Sequence, residues 1–88
     1  MDLMTSTHEI SNTTVNIYPN PVSDVINIEV DGQLNFSSTL YDIEGKRILS
    51  SNNTNQIRVN SIPTGTYLLE IIDLTSGQKV VERIMIGK

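Results

Sequence analysis

The chain has no cysteine, no alanine and a single histidine. Without cysteine it can form no disulfide and offers no thiol nucleophile, although small secreted domains often use disulfides to supplement a thin core. That absence leaves the compartment open. Without alanine, and with Ile, Val and Thr abundant, it is a poor helix sequence and a good strand sequence. Basic residues are few: 6 Lys and Arg stand against 10 Asp and Glu, a formal net charge of -4. This balance opposes nucleic-acid binding, which calls for a basic face against phosphates, and opposes a polybasic membrane anchor. No apolar run approaches the length that spans a bilayer, so no direct membrane insertion is expected. Met1 to Asn12 lacks the basic start and apolar stretch of a signal peptide and reads as the start of an excised domain.

What is present reads as one domain of 88 residues, a size that buries roughly two thirds of its unfolded surface. Residues 1–14, rich in Ser, Thr and Asn, have little to bury and read as a flexible tail or linker from an upstream segment. His8 falls in this tail and is expected to be solvated. The folded part is expected over 15–88. Seven strands are predicted by alternation and turn signals, at residues 15–18, 25–30, 39–43, 46–50, 56–59, 66–73 and 79–86. The clearest is Val25 to Val30, with Ile26, Ile28 and Val30 on one face and Asn27 and Glu29 on the other. Thr66 to Asp73 is apolar on both faces and is predicted to be central. Val80, Val81, Ile84 and Met85 also fit a helical stripe, but the short turn before them and their β-branched composition favour a strand, with Val80, Ile84 and Ile86 inward and Glu82 interrupting. Asp31-Gly32, Glu44-Gly45, Pro63-Thr64-Gly65 and Ser76-Gly77 mark turns. The expected fold is all-β, an immunoglobulin-like antiparallel sandwich of about seven strands.

Tyr18-Pro19-Asn20-Pro21 is the stiffest stretch. Each proline fixes φ, removes a backbone donor and pushes its predecessor toward extended geometry. The first predicted strand therefore ends at Tyr18 in a rigid corner, where Asn20 is expected to bond to nearby backbone.

Catalytic chemistry finds little support. The lone His8, in a tail, has nothing to hold it beside a nucleophile. Turn chemistry accounts for the carboxylates of Asp31, Asp42, Glu44 and Asp73. Asp42-Ile43-Glu44-Gly45 offers two carboxylates before a glycine, yet calcium takes six or more oxygens, so a β-turn with glycine in the left-handed region is the better account. Asn12-Thr13-Thr14, Asn35-Phe36-Ser37 and Asn52-Asn53-Thr54 match the glycosylation sequon by composition alone. Tyr18, Tyr41 and Tyr67 are expected at the core or its rim rather than as a sugar-stacking platform. No enzyme activity, metal or cofactor is expected.

Five blocks then stand in order: Ile17-Tyr18-Pro19-Asn20-Pro21, Val25-Ile26-Asn27-Ile28, Leu40-Tyr41-Asp42-Ile43-Glu44-Gly45-Lys46, Ile62-Pro63-Thr64-Gly65-Thr66-Tyr67-Leu68-Leu69 and Glu82-Arg83-Ile84-Met85-Ile86-Gly87-Lys88. Together they resemble the type A C-terminal sorting domain of the type IX secretion system of Bacteroidetes, over about residues 15–88. The resemblance implies a seven-stranded sandwich at the C-terminus of a secreted cargo, directing that cargo from the periplasm across the outer membrane. The implied partners are the N-terminal cargo domain, the outer-membrane translocon and its shuttle components, and a sortase-like cysteine protease. The protease would cut in or before residues 1–14, leaving the cargo released or joined to anionic lipopolysaccharide, secreted or at the cell surface. A parent signal peptide would lie far upstream. The recognition positions expected are Tyr18, Pro19, Asn20, Pro21, Gly45, Lys46, Gly65, Tyr67, Ile84, Ile86 and Lys88, with the contacts centred on Ile84 to Lys88. The ending, with one lysine, departs from a larger basic cluster. The alternative function is an adhesive or carbohydrate-binding accessory module of an extracellular protein, which would share the sandwich and its polar surface.

Overall fold

Alternation of Ile, Val and Leu with polar residues commits the two faces of each strand, because successive side chains point to opposite sides. The computed structural model describes residues 4–87, with side chains from Thr7 onward. It has eight strands: β1 (Met4–Ile10), β2 (Thr13–Asn20), β3 (Val25–Val30), β4 (Phe36–Asp42), β5 (Arg47–Asn52), β6 (Gln56–Arg58), β7 (Gly65–Asp73) and β8 (Lys79–Ile86). Two antiparallel four-stranded sheets result, ordered β1-β2-β3-β6 and β5-β4-β7-β8. The all-β sandwich expected from the sequence is the architecture observed, and all seven predicted strands are in it.

The inner faces make one core. Val15 and Ile17 of β2, Ile26 and Ile28 of β3 and Ile57 of β6 pack with Leu40, Leu69, Ile71, Ile84 and Ile86 of the other sheet. Burial of each such side chain stabilises the fold by about 1.5–3 kcal/mol. β7 lies between β4 and β8, so it is central. β8 is a strand over the predicted range, with Ile84 and Ile86 buried and Val80 half-buried.

The eighth strand corrects the reading of residues 1–14 as a flexible tail. Residues 1–3 lie outside the described residues. From Met4 the chain pairs antiparallel with β2, and Ile10 is buried in the core. A two-residue turn joins the strands: Ser11 and Asn12 have φ of 50° and 62°, the left-handed pair that suits the twist of a tight hairpin. His8 is likewise not solvated as expected. Its Nε2 donates to Glu82 Oε1 at 2.9 Å, joining β1 to β8 across the two sheets. Glu82, the residue that interrupts the apolar face of β8, thereby gains a partner for an inward carboxylate. The first predicted strand also extends past the expected corner at Tyr18, since β2 runs to Asn20. Two residues of β2, Tyr18 and Pro19, lie in an irregularity opposite Thr5 of β1. A bulge is where a strand tolerates a proline.

The end of the sandwich carrying the β1–β2 turn is fastened by Asp73. Its carboxylate accepts from the Ser11 hydroxyl, from the Thr75 backbone N–H at 2.8 Å and from the Ser76 hydroxyl at 2.8 Å. Gln78 Oε1 accepts from the Ser11 backbone N–H at 2.7 Å. The β1–β2 and β7–β8 turns are thus tied side to side.

Two predictions follow from β1 and its fastening. Ile10→Ala should cost about 2–5 kcal/mol of unfolding free energy, as large-to-small changes in a packed core do; chemical denaturation would read this, and an unchanged midpoint would mean β1 is not part of the fold. The Ser11 hydroxyl, then the Thr75 N–H and the Ser76 hydroxyl, hold the Asp73 carboxyl down from an ordinary 3.8 to about 2. Because the folded carboxyl is the stronger acid, its stabilisation is present in full above 3.8 and is lost as pH falls from there through about 2. Asp73→Asn should lower stability near neutrality and flatten the acid limb of the melting-temperature profile; parallel acid limbs for the two proteins would contradict this role.

Candidate functional site

β8 ends one sheet, and residues 20–22 approach it from the other. The Asn20 side chain bridges two β8 backbone groups: Nδ2 donates to Arg83 O at 2.9 Å, and Oδ1 accepts from Met85 N–H at 3.0 Å. Val22 continues the contact as a parallel bridge to Ile86, its N–H donating to Met85 O at 2.8 Å and its C=O accepting from Gly87 N–H at 2.9 Å. Asn20 therefore does not turn its amide onto neighbouring backbone, as expected from the sequence. It stands in for a strand neighbour to residues 63 and 65 positions away. The Tyr18–Pro19 and Asn20–Pro21 peptide bonds on either side are cis.

The register brings the other motif blocks to this same end. In the β4-β7-β8 rows Asp42 pairs with Tyr67 and Tyr67 with Ile84, while Gly65 pairs with Ile86. The β4–β5 turn, which holds Gly45 and Lys46, projects beyond the Asp42 row. Asp42 builds that turn. Its Oδ1 accepts from Glu44 N–H and Lys46 N–H, both at 2.9 Å, and its C=O accepts from Gly45 N–H at 3.0 Å. Gly45 has φ +89°, in the region that favours glycine. The carboxylate is thus occupied with backbone, as the turn account requires. Tyr67 is buried and donates its hydroxyl to Pro63 O at 2.7 Å, bracing the Pro63-Thr64-Gly65 turn. A methyl group at Gly65 would meet the Tyr67 ring at an ordinary 3.6 Å, so space alone does not demand glycine there.

Of the expected recognition residues, the structure gathers Asn20, Pro21, Gly45, Lys46, Gly65, Tyr67, Ile84 and Ile86 at one end of the sandwich. Their accessibility differs. Ile84, Ile86 and Tyr67 are buried, so their side chains serve the core of the folded domain. Gly45 and Lys46 are exposed, while Tyr18, Pro19, Asn20 and Pro21 are half-buried. Lys88 lies outside the described residues. Sequence reasoning missed Arg83 and Met85, whose backbone takes the Asn20 and Val22 bonds and whose side chains are exposed, Met85 by 53 %. The alternation of β8 held that signal, since the residues between inward Ile84 and Ile86 must face out. The three tyrosines share no surface: Tyr67 points inward, Tyr18 lies on the outer face of its sheet, and Tyr41 lies on that of the other, with its hydroxyl donating to Glu70 Oε1 at 3.3 Å.

Asn20→Ala removes both side-chain bonds to β8 and should cost about 1–2 kcal/mol. Hydrogen exchange at the Met85 amide should accelerate more than at amides of β3. Equal acceleration in both strands, or none, would show that Asn20 does not hold the edge.

No curated protein matches the chain. The family model described as "Secretion system C-terminal sorting domain" matches residues 16–87. The match takes in all five motif blocks apart from Lys88 and begins inside β2, so β1 lies ahead of it. This is not an enzyme family; it implies Bacteroidetes, export toward the outer membrane or cell surface, an attached cargo and contact with the secretion machinery. The chain belongs to the C-terminal sorting domain family and carries a sorting signal for the type IX secretion system.

Proposed function

We propose that the folded domain is an address read at the end of the sandwich where residues 20–22, the β4–β5 turn, Gly65 and β8 converge, and that it is removed after export. The observation that supports this reading is the Asn20–Val22 contact with Arg83–Gly87, which joins the first and last motif blocks into one surface. The readers are the outer-membrane translocon and its shuttle components. The cargo, attached ahead of β1, passes through the periplasm and ends secreted or at the cell surface. A sortase-like cysteine protease then cuts the connection. Pairing of Met4–Ile10 with β2 favours a cut upstream of Met4, because proteases take extended, unpaired chain. The domain is the substrate of that step.

A periplasmic reporter carrying residues 1–88 at its C-terminus should leave cells that have a type IX apparatus. Retention in the periplasm, while another sorting domain exports the same reporter, would sink the reading. Deleting Ile84 to Lys88 removes two core residues and should abolish cooperative melting and export together. Export by a deletion variant that has lost its fold would show that the folded surface is not what is read.

A further inference from the structure

The two outer faces of the sandwich differ in kind. On the β1-β2-β3-β6 sheet, outward side chains bond sideways to one another: Thr7 Oγ1 to Asn16 Oδ1 at 2.8 Å, Asn16 Nδ2 to Glu29 Oε1 at 3.2 Å, and Gln56 Nε2 to Asn27 Oδ1 at 3.3 Å. That face is polar and largely satisfies itself. The outward side of β8 instead reads Lys79, Val81, Arg83, Met85, all exposed, with basic and apolar residues alternating.

β8 is also the last strand of its sheet, and an edge strand presents unpaired N–H and C=O groups to any chain that can add to it. Asn20 and Val22 cover this edge only from Arg83 O to Gly87 N–H. Since the Met85 N–H and C=O face the edge, the period of an antiparallel ladder places those of Val81 there too. Among the described residues, no hydrogen bond caps them. A second copy of this chain is a poor occupant. Antiparallel pairing of two β8 strands centred on Val81 would set Lys79 opposite Arg83 of the other copy, and like charges directly opposite are destabilising. The same two cations suit a strand of opposite charge. Lys79 Nζ is 3.7 Å from Glu70 Oε2, so the second charge on this stretch, Arg83, is the freer of the two. Beside Arg83 a surface hollow is lined by Asn20, Pro21, Glu82, Arg83 and Met85, with Pro21 and Met85 supplying apolar surface.

Resting on the sorting reading above, we propose that the Lys79–Arg83 edge of β8 receives an extended acidic segment of the export machinery as a fifth strand. Its carboxylates would lie opposite Lys79 and Arg83, and an apolar side chain would enter the Pro21–Met85 hollow. Backbone bonds supply the affinity of such strand addition and alternate side chains supply its selectivity.

The test uses the exported reporter with the full chain. Val81→Pro removes an edge-facing N–H while sparing the bonds between β7 and β8. The double variant Lys79→Glu, Arg83→Glu reverses the charge and leaves the backbone intact. Each should lower the exported fraction at least tenfold with a melting temperature near that of the unaltered domain. Arg58→Glu, on β6 of the other sheet, should export normally. Normal export by a folded Val81→Pro or by the charge-reversal variant overturns the proposal; if Val81→Pro does not fold, the charge-reversal variant decides. Failure of the unaltered domain to export the reporter would instead overturn the sorting reading, and this inference with it. Light scattering should find the isolated domain monomeric. A dimer that Val81→Pro dissolves would assign the edge to a second copy.

Discussion

Interdigitation of two isoleucine-rich inner faces carries this structure, and every other feature is placed by it. With no disulfide available, the sheets are held by Val15, Ile17, Ile26 and Ile28 on one side and Leu40, Leu69, Ile71, Ile84 and Ile86 on the other. Domains of this size have only about 5–15 kcal/mol of net stability, so the loss of one or two such side chains is a large fraction of the whole. The core also determines what the surface is. With Ile84 and Ile86 drawn inward, Arg83 and Met85 must face out, and burial of Val22 brings Asn20 within reach of the β8 backbone.

Polar contacts divide the work at the two ends. Around Asp73, hydroxyl and backbone donors fasten one pair of turns and close that end. At the other end, Asn20, Val22 and the Asp42 turn shape backbone while leaving Lys46, Arg83 and Met85 exposed. Between them, the His8–Glu82 pair joins the edge strands of the two sheets, so the segment ahead of the family match is fixed to the last strand.

Most of the fold was legible because strand alternation is a local signal. Val25–Val30 and Lys79–Ile86 have in the structure the ranges their patterns predict. β1 was not legible, since Met4-Thr5-Ser6-Thr7-His8-Glu9-Ile10 has apolar residues only at its ends and pairs through backbone rather than an apolar stripe. The clue lay just beyond it: Ser11-Asn12 followed by Thr13-Thr14-Val15, a two-residue turn entering β-branched sequence. The site was half legible. Motif order pointed to the blocks that converge, but which residues of β8 are reachable depends on its inward and outward faces. The partner of Asn20 could not be read at all, because nothing local links position 20 to positions 83 and 85.

The Asn20 bridge makes the proposed address conditional on folding. Its two halves are separated by 63 and 65 residues of chain and become one surface only after both sheets have formed. An unfolded copy contains every motif letter yet does not present that composite surface, and a truncated copy lacks the last strand that completes it. If this surface is what the machinery reads, as proposed, the tag certifies as well as labels: only a polypeptide finished through its last strand and folded would display it.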